Sequence, residues 1–195
     1  MYRETYAIDL LYEAASAWQE LTAFTYRITY GKRGVLHTIT LKFEVSEFYH
    51  LAGFQYMNDI VLPFRFSHAK AVDAALTGRI TQAHIAKSEN WEAIKERLTA
   101  ITKLRQALDT SFSVYKFNPG VLPFYTKITA ENLILARCED VVFLFTDQSK
   151  DGMAFSKSIF LKREDRDFSR NQKPLSILKV ERNGQPIYKS PGFKE

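Results

Sequence analysis

Apolar residues near the start of the chain recur every three or four positions, the spacing that places them on one face of a helix. Over residues 4–20 this stripe consists of Tyr6, Leu10, Leu11, Ala14, Ala15 and Trp18. Two segments of strict alternation follow: Phe24, Tyr26, Ile28 and Tyr30 on one face, then Val35, His37, Ile39, Leu41 and Phe43 on another. The intervening Gly31-Lys32-Arg33-Gly34 is typical of a hairpin loop. We therefore predict a helix followed by a β-hairpin.

The middle of the chain returns to the helical period. Ser46 stands where it would cap a short helix that carries His50. Two further helices are predicted over residues 68–76, closed by Gly78, and over residues 80–87. The clearest helix begins at Ser88, and its apolar stripe consists of Trp91, Ile94, Leu98, Ile101, Leu104 and Leu108.

The last third of the chain predicts strands. Their expected ranges are 112–117, 125–130, 132–138, 141–145, 153–161 and 175–181. The segment over residues 141–145 is continuously apolar, which indicates a central strand covered on both faces. Helices gathered before a run of strands predict an α+β fold, in which N-terminal and central helices pack on an antiparallel sheet. We expect one domain over residues 1–195.

Composition narrows the class of protein. The 195 residues are 46% hydrophobic and 25% charged, which excludes a disordered chain. The single cysteine, Cys138, excludes an intramolecular disulfide and a thiolate-rich zinc site. No segment approaches the roughly 18 apolar residues of a membrane span, and the N-terminus, with Arg3 and Glu4, has no apolar stretch before a cleavage site. We expect a cytoplasmic protein without a membrane partner.

The net charge of +5 is unevenly distributed. Residues 150–195 contain eleven Lys or Arg against six Asp or Glu, so the whole excess lies in the last quarter of the chain. A localised basic surface is what a polyanionic partner requires, although ordinary proteins also carry such surfaces. Charge alone therefore leaves nucleic-acid binding open.

The segment from Ser46 to Phe54 is the best local candidate for a site. It places His50 one helical turn before Gly53, which would leave open space beside an imidazole that could act as a general acid or base. The other interpretation, more common on local grounds, is a helix histidine that only hydrogen-bonds a carbonyl group. No two histidines have the spacing of a preformed metal pair, so no metal site or cofactor is predicted.

Arginine, lysine and serine residues supply further candidates. Arg97 borders the buried stripe of its helix, where it would either pair with a carboxylate or serve as a phosphate fork. Lys87-Ser88 is either a helix boundary or a phosphate contact. Polar residues interrupt the strand over residues 155–161, a pattern found beside pockets and on half-solvated sheets. The chain has no glycine-rich phosphate loop and no G-x-S-x-G motif, which disfavours nucleotide hydrolases and serine esterases.

Three segments together resemble the phage-associated barnase–EndoU–colicin–RelE-like nucleases, specifically the fourth group. The first runs from Phe48 to Phe54 and on to Asn58-Asp59-Ile60, similar to the family's HLxGL…xDI signature. The second runs from Thr77 to Ser88 and continues to Ile94 and Arg97, and the third runs from Ser158 to Arg166 and on to Gln172 and Leu178. One departure is the segment Ala52-Gly53-Phe54-Gln55, where the family has another aliphatic residue and sometimes a second histidine.

The resemblance implies a metal-independent ribonuclease fold in which RNA lies across the sheet. In such enzymes the RNA 2′-hydroxyl attacks the adjacent phosphate, helped by a base, an acid and cations. It implies His50, Arg97, Arg163 and Ser158 as catalytic residues, with His50 as base or acid and the arginines on phosphate. The implied substrate-binding residues are Lys87, Ser88, Lys157 and Gly53.

The function expected from this resemblance is that of an endoribonuclease of phage or mobile-element type that acts as a toxin. Its implied partners are RNA, such as tRNA or another structured RNA, and an antitoxin or immunity protein. The alternative is a non-catalytic RNA- or protein-binding module on the same fold. A structural phage protein, in which the basic tail is incidental, is a third possibility.

Overall fold

A computed structural model describes residues 9–63, 67–149 and 151–194. Its helices are α1 (Leu10–Leu21), α2 (Glu47–Ala52), α3 (Lys70–Leu76), α4 (Gln82–Ile85) and α5 (Trp91–Thr110). Its strands are β1 (Thr25–Lys32), β2 (Val35–Lys42), β3 (Ser111–Lys116), β4 (Asn132–Arg137), β5 (Val141–Gln148), β6 (Met153–Leu161), β7 (Ser176–Arg182) and β8 (Gln185–Lys189). The predicted α+β class is confirmed.

One mixed sheet contains all eight of these strands, in the order β3-β4-β5-β6-β2-β1-β7-β8. Neighbouring strands are antiparallel except β2 and β6, which pair in parallel through Thr40–Met153 and Leu41–Ala154. The sheet curls enough that Tyr115 of β3 bridges to Pro174, just before β7. The parallel contact joins two antiparallel halves, β3-β4-β5-β6 and β2-β1-β7-β8.

Helices α1 and α5 cover one face of the sheet, where Trp18, Tyr26 and Phe43 pack edge to face in the main core. The other face holds a second core built around Phe143, Phe145 and Phe168. Strand β5 supplies residues to both cores, as its continuously apolar sequence predicts. None of the helices in the described ranges has the length and apolar character needed to span a bilayer.

Several element boundaries differ from the sequence prediction. Helix α1 begins at Leu10, because the side chain of Asp9 accepts a hydrogen bond from the Tyr12 N–H; residues 4–8 of the predicted helix lie outside the described residues. The predicted strand over residues 125–130 is wrong. That segment has no strand pairing and instead packs Ile128 and Ala130 against the second core, which explains its alternation.

Candidate active site

Helix α2 presents His50 at the surface and buries its other face. Phe48, Leu51 and Ala52 are buried, whereas His50 is exposed. The helix ends at Gly53, which adopts a left-handed conformation with φ 87° and donates its N–H to the carbonyl of His50. Ser46 precedes the helix, but its side chain makes no capping hydrogen bond, so the predicted side-chain cap is wrong.

His50 opens into a cleft of about 410 Å³, which we call the histidine cleft. Its walls come from α2, the turn after it, His68 and strand β6. The lining residues are Ser46, Glu47, His50, Gln55, Tyr56, His68, Phe155, Ser156, Lys157 and Ser158. The predicted candidates His50, Lys157 and Ser158 therefore lie in one place.

His68 is the main residue of this cleft that the sequence analysis missed. Its ring centroid lies 4.7 Å from that of His50, with the two planes at 87°, and its ring stacks on Tyr49 at 4.0 Å. Burial lowers the pKa of His50, and the charge of a protonated His68 lowers it further. The 18-residue gap between the two histidines follows no motif, so only the fold could reveal the pair.

Glu47 joins α2 to strand β6 at the floor of the histidine cleft. Its Oε1 accepts a hydrogen bond from the Ser156 N–H at 3.3 Å, while Oε2 is buried without a hydrogen-bond partner in the described part of the chain. Burial raises the pKa of Glu47 from 4.5 to about 7, against the opposing effect of the bond from Ser156. Because β2 pairs with β6 only through Met153 and Ala154, α2 rather than a strand occupies the edge of β6 beside Ser156.

A β-bulge shapes the wall that β6 contributes. Phe145 pairs with Ser158 and Thr146 pairs with Ser156, so Lys157 is the extra residue. Ser156 is only 6% exposed, and its hydroxyl has no hydrogen-bond partner among the described residues. The ammonium group of Lys157 lies 2.8 Å from Asp147 and 3.3 Å from the Thr129 hydroxyl. The bulge thus brings a buried hydroxyl, a cation and the Ser158 side chain to the same cleft.

Arg97 borders the histidine cleft from α5. Its guanidinium carbon lies 4.4 Å from the ring centroid of Phe160 and 5.8 Å from that of Tyr56, and Nη1 donates to the carbonyl of Leu51 at 3.3 Å. Burial lowers its pKa. No carboxylate of the described residues forms an ion pair with Arg97. The sequence left two alternatives for Arg97, an ion pair with a carboxylate or a phosphate contact. The described residues lack the carboxylate that the first alternative requires.

Gly53 makes room for this arginine. A Cβ atom on Gly53 would lie 3.0 Å from Cδ of Arg97 and 3.5 Å from Cγ1 of Ile94. The flank that the sequence analysis expected to be open beside His50 is thus filled by the Arg97 side chain, and that expectation is wrong. Gly53 instead allows α5 to bring Arg97 close to α2.

Arg163 lies in a neighbouring cleft of about 590 Å³, which we call the arginine cleft. The residues that line it are Glu92, Ala93, Lys95, Glu96, Arg97, Thr99, Phe160, Leu161, Lys162, Arg163 and Arg166. Arg163 pairs there with Glu96 at 3.2 Å. Arg163 therefore lies in a different cleft from His50. Arg97, which also lines the arginine cleft, lies 5.8 Å from the ring centroid of Tyr56 in the histidine cleft.

Lys87 and Ser88 lie outside both clefts. Ser88 is buried, and its hydroxyl donates to Asp59 at 2.8 Å while the Glu89 N–H donates to the other oxygen of Asp59 at 2.7 Å. These two bonds lower the pKa of Asp59, the backbone bond having the larger effect. Ser88 is thus committed to a turn before α5, and the expectation that it donates to substrate is not supported by this geometry.

The chemistry available in the histidine cleft is proton transfer beside cations. Two imidazole rings lie in contact. Lys157 and Ser158 line the same cleft, and the Arg97 guanidinium lies over the ring of Phe160, farther along the same strand. Among the described residues, no group of three His, Cys, Asp or Glu side chains is arranged to hold a metal ion.

Comparison with known proteins places the chain in a family. The model of the family described as phage-Barnase-EndoU-ColicinE5/D-RelE like nuclease4 matches residues 10–194. No curated protein and no solved structure matches the chain significantly. The family match covers nearly the whole chain and confirms the family that the sequence motifs indicated. The chain therefore belongs to the phage-Barnase-EndoU-ColicinE5/D-RelE like nuclease4 family, whose name denotes nucleases of the barnase, EndoU, colicin and RelE type.

Proposed function

We propose that the protein is an endoribonuclease that cleaves RNA without a metal ion, by attack of the 2′-hydroxyl on the adjacent phosphate. The observation that carries this proposal is the contact between His50 and His68 in an open cleft walled by β6. The family of nucleases supports a nucleic-acid substrate. RNA is favoured because its 2′-hydroxyl supplies the nucleophile within the substrate itself.

The two histidines form an acid–base pair. A charge on His68 opposes protonation of His50. When the pair has bound one proton, one ring is therefore protonated and the other is neutral. In our scheme neutral His50 accepts the 2′-hydroxyl proton as the O2′–P bond forms. Protonated His68 donates its proton to O5′ as the P–O5′ bond breaks, which yields a 2′,3′-cyclic phosphate and a 5′-hydroxyl.

Cationic and hydroxyl groups around the pair stabilise the phosphorane. Lys157 and Ser158 reach the phosphate from β6, and Arg97 reaches it from α5. Glu47 acts as a positioning residue, since it joins the His50 helix to Ser156. Arg163 binds phosphate farther along, in the arginine cleft, whereas Lys87 and Ser88 take no part.

The biological role in this proposal is that of a phage or mobile-element toxin that acts on cellular RNA in the cytoplasm. Such an enzyme would damage the cell that produces it, so an antitoxin or immunity protein is its expected partner. The phage origin in the family name and the basic C-terminal quarter of the chain support this role.

The test is cleavage of total RNA and tRNA by purified protein in EDTA. His50→Ala and His68→Ala should abolish cleavage, whereas His37→Ala, a change at an exposed histidine on β2, should not. The products of the wild-type protein should carry 2′,3′-cyclic phosphates. If all four proteins cut equally, the activity does not use the histidine cleft. RNA binding without any cleavage would favour the non-catalytic binding module.

A further inference from the structure

The arginine cleft continues into a third cleft, with which it shares two lining residues. This cleft, of about 340 Å³, we call the tyrosine cleft, and Phe160 and Arg166 line both. Its other lining residues are Phe124, Tyr125, Thr126, Lys127, Ile128 and Phe168. The arginine cleft and the tyrosine cleft therefore form one continuous groove. Arg97, which lines this groove, lies 5.8 Å from the ring centroid of Tyr56, a residue of the histidine cleft.

Cations without carboxylate partners are concentrated along this groove. Within the arginine cleft, Lys162 pairs with Asp167 at 2.6 Å and Arg163 pairs with Glu96. Arg166 and Lys95 form no ion pair among the described residues. Arg166 is also half-buried at the junction of two clefts, where an unpaired charge is costly unless an anion approaches it.

An aromatic side chain stands at the far end of the groove. Tyr125 is 84% exposed, and its ring contacts no other aromatic ring among the described residues. Its neighbours Phe124 and Ile128 pack against the second core and anchor the segment on both sides of it. An anchored segment with a freely exposed ring suits stacking on an unpaired base, and Lys127 lies two residues away.

We propose that the groove binds single-stranded RNA that extends beyond the scissile phosphate. Phosphates of the neighbouring nucleotides lie at Arg166 and Lys95, and a base several nucleotides from the cleavage position stacks on Tyr125. A single strand fits better than a duplex because only unpaired bases expose a face for stacking. This inference rests on the proposed function for its RNA substrate, but it concerns binding and not the chemical step.

The test measures binding of a fluorescent single-stranded RNA of about 10 nucleotides, within the range of such sites, over a series of salt concentrations. The RNA carries 2′-O-methyl groups, which prevent 2′-hydroxyl attack, so binding is measured whether or not the protein cleaves RNA. Tyr125→Ala should weaken binding about ten-fold without changing the salt dependence. Tyr125→Phe keeps the aromatic ring and should bind RNA like the wild type. Arg166→Gln should make the negative slope of log K against log salt shallower by about 0.7.

Matched controls are Tyr188→Ala, an exposed tyrosine on β8, and Arg170→Gln, an exposed arginine outside the groove. The inference is overturned if Tyr125→Ala binds like the wild type, or if duplex RNA binds with the same dependence on Tyr125. Loss of binding in the groove variants by a protein that never cleaves RNA would overturn the proposed function alone. Cleavage with unaltered binding in the variants would overturn the inference alone.

Discussion

Gly53 and Arg97 pack together across the interface between α2 and α5, so closely that a Cβ on the glycine would require the Arg97 side chain to shift by a few tenths of an ångström. An added Cβ would lie 3.0 Å from Cδ of Arg97, and Gly53 also adopts a left-handed backbone conformation. The position that ends the His50 helix therefore also sets where the arginine lies. Packing of Gly53 against Arg97 therefore links His50 and Arg97, two candidate site residues predicted from the sequence.

Gly53→Ala should lower the free energy of unfolding by more than backbone strain alone would. Any L-residue at a positive φ costs about 1–2 kcal/mol, and displacement of Arg97 adds to this cost. Gly78→Ala is the matched control, because Gly78 has φ 71° but open space around it. Denaturant unfolding should show the larger loss of stability for Gly53→Ala, and only this variant should reduce RNA cleavage. Equal losses in the two variants would contradict the packing argument.

The buried Glu47 should make stability depend on pH. Its pKa is raised in the folded state from 4.5 to about 7, so the folded protein binds the proton more tightly than the unfolded chain. The resulting stabilisation is complete below pH 4.5 and is lost as the pH rises through 7, a change on the order of 3 kcal/mol.

Glu47→Gln should remove this dependence, since a neutral amide keeps an acceptor for the Ser156 N–H. The variant should therefore unfold at a higher denaturant concentration than the wild type at pH 8, with a smaller difference at pH 5. Glu164→Gln, at an exposed carboxylate, is the control and should change neither value. A wild type whose stability rises between pH 5 and pH 8 relative to Glu47→Gln would refute the assignment.

The histidine pair should be visible in proton titrations. His68→Asn removes the charge that lowers the pKa of His50, so that pKa should move up towards its ordinary value and stay below it because of burial. NMR titration of the His50 ring protons measures this directly. His84→Asn, at a histidine whose ring contacts the Val61 carbonyl, should leave the His50 titration unchanged. An unchanged pKa in His68→Asn would mean that the two rings are not coupled.

Ser88 should matter for stability and not for catalysis. Ser88→Ala loses the hydrogen bond to Asp59, and we expect the free energy of unfolding to fall by about 1 kcal/mol with cleavage rates preserved. Lys87→Ala, at the exposed neighbouring residue, should change neither quantity. A drop in the cleavage rate of Ser88→Ala at full stability would restore the sequence-based interpretation of this serine as a substrate donor.

Periodicity and motifs alone determined much of this protein. The stripe on α5, the β1–β2 hairpin and the doubly buried β5 follow from local patterns, because each element buries its own apolar residues at its own period. The α+β class and the family follow from the order of such elements and from short segments around His50, Arg97 and Ser158.

Tertiary structure alone decided how the candidates meet. The parallel contact of β2 with β6 places α2 beside Ser156, and it forms between strands more than 100 residues apart in sequence. His68 joins His50 through packing on Tyr49, which no spacing rule encodes. The Ser88 hydroxyl likewise donates to Asp59, and Arg163 forms an ion pair with Glu96 in a different cleft from His50. Local sequence specifies which elements form, whereas the distances between side chains depend on long-range packing of those elements.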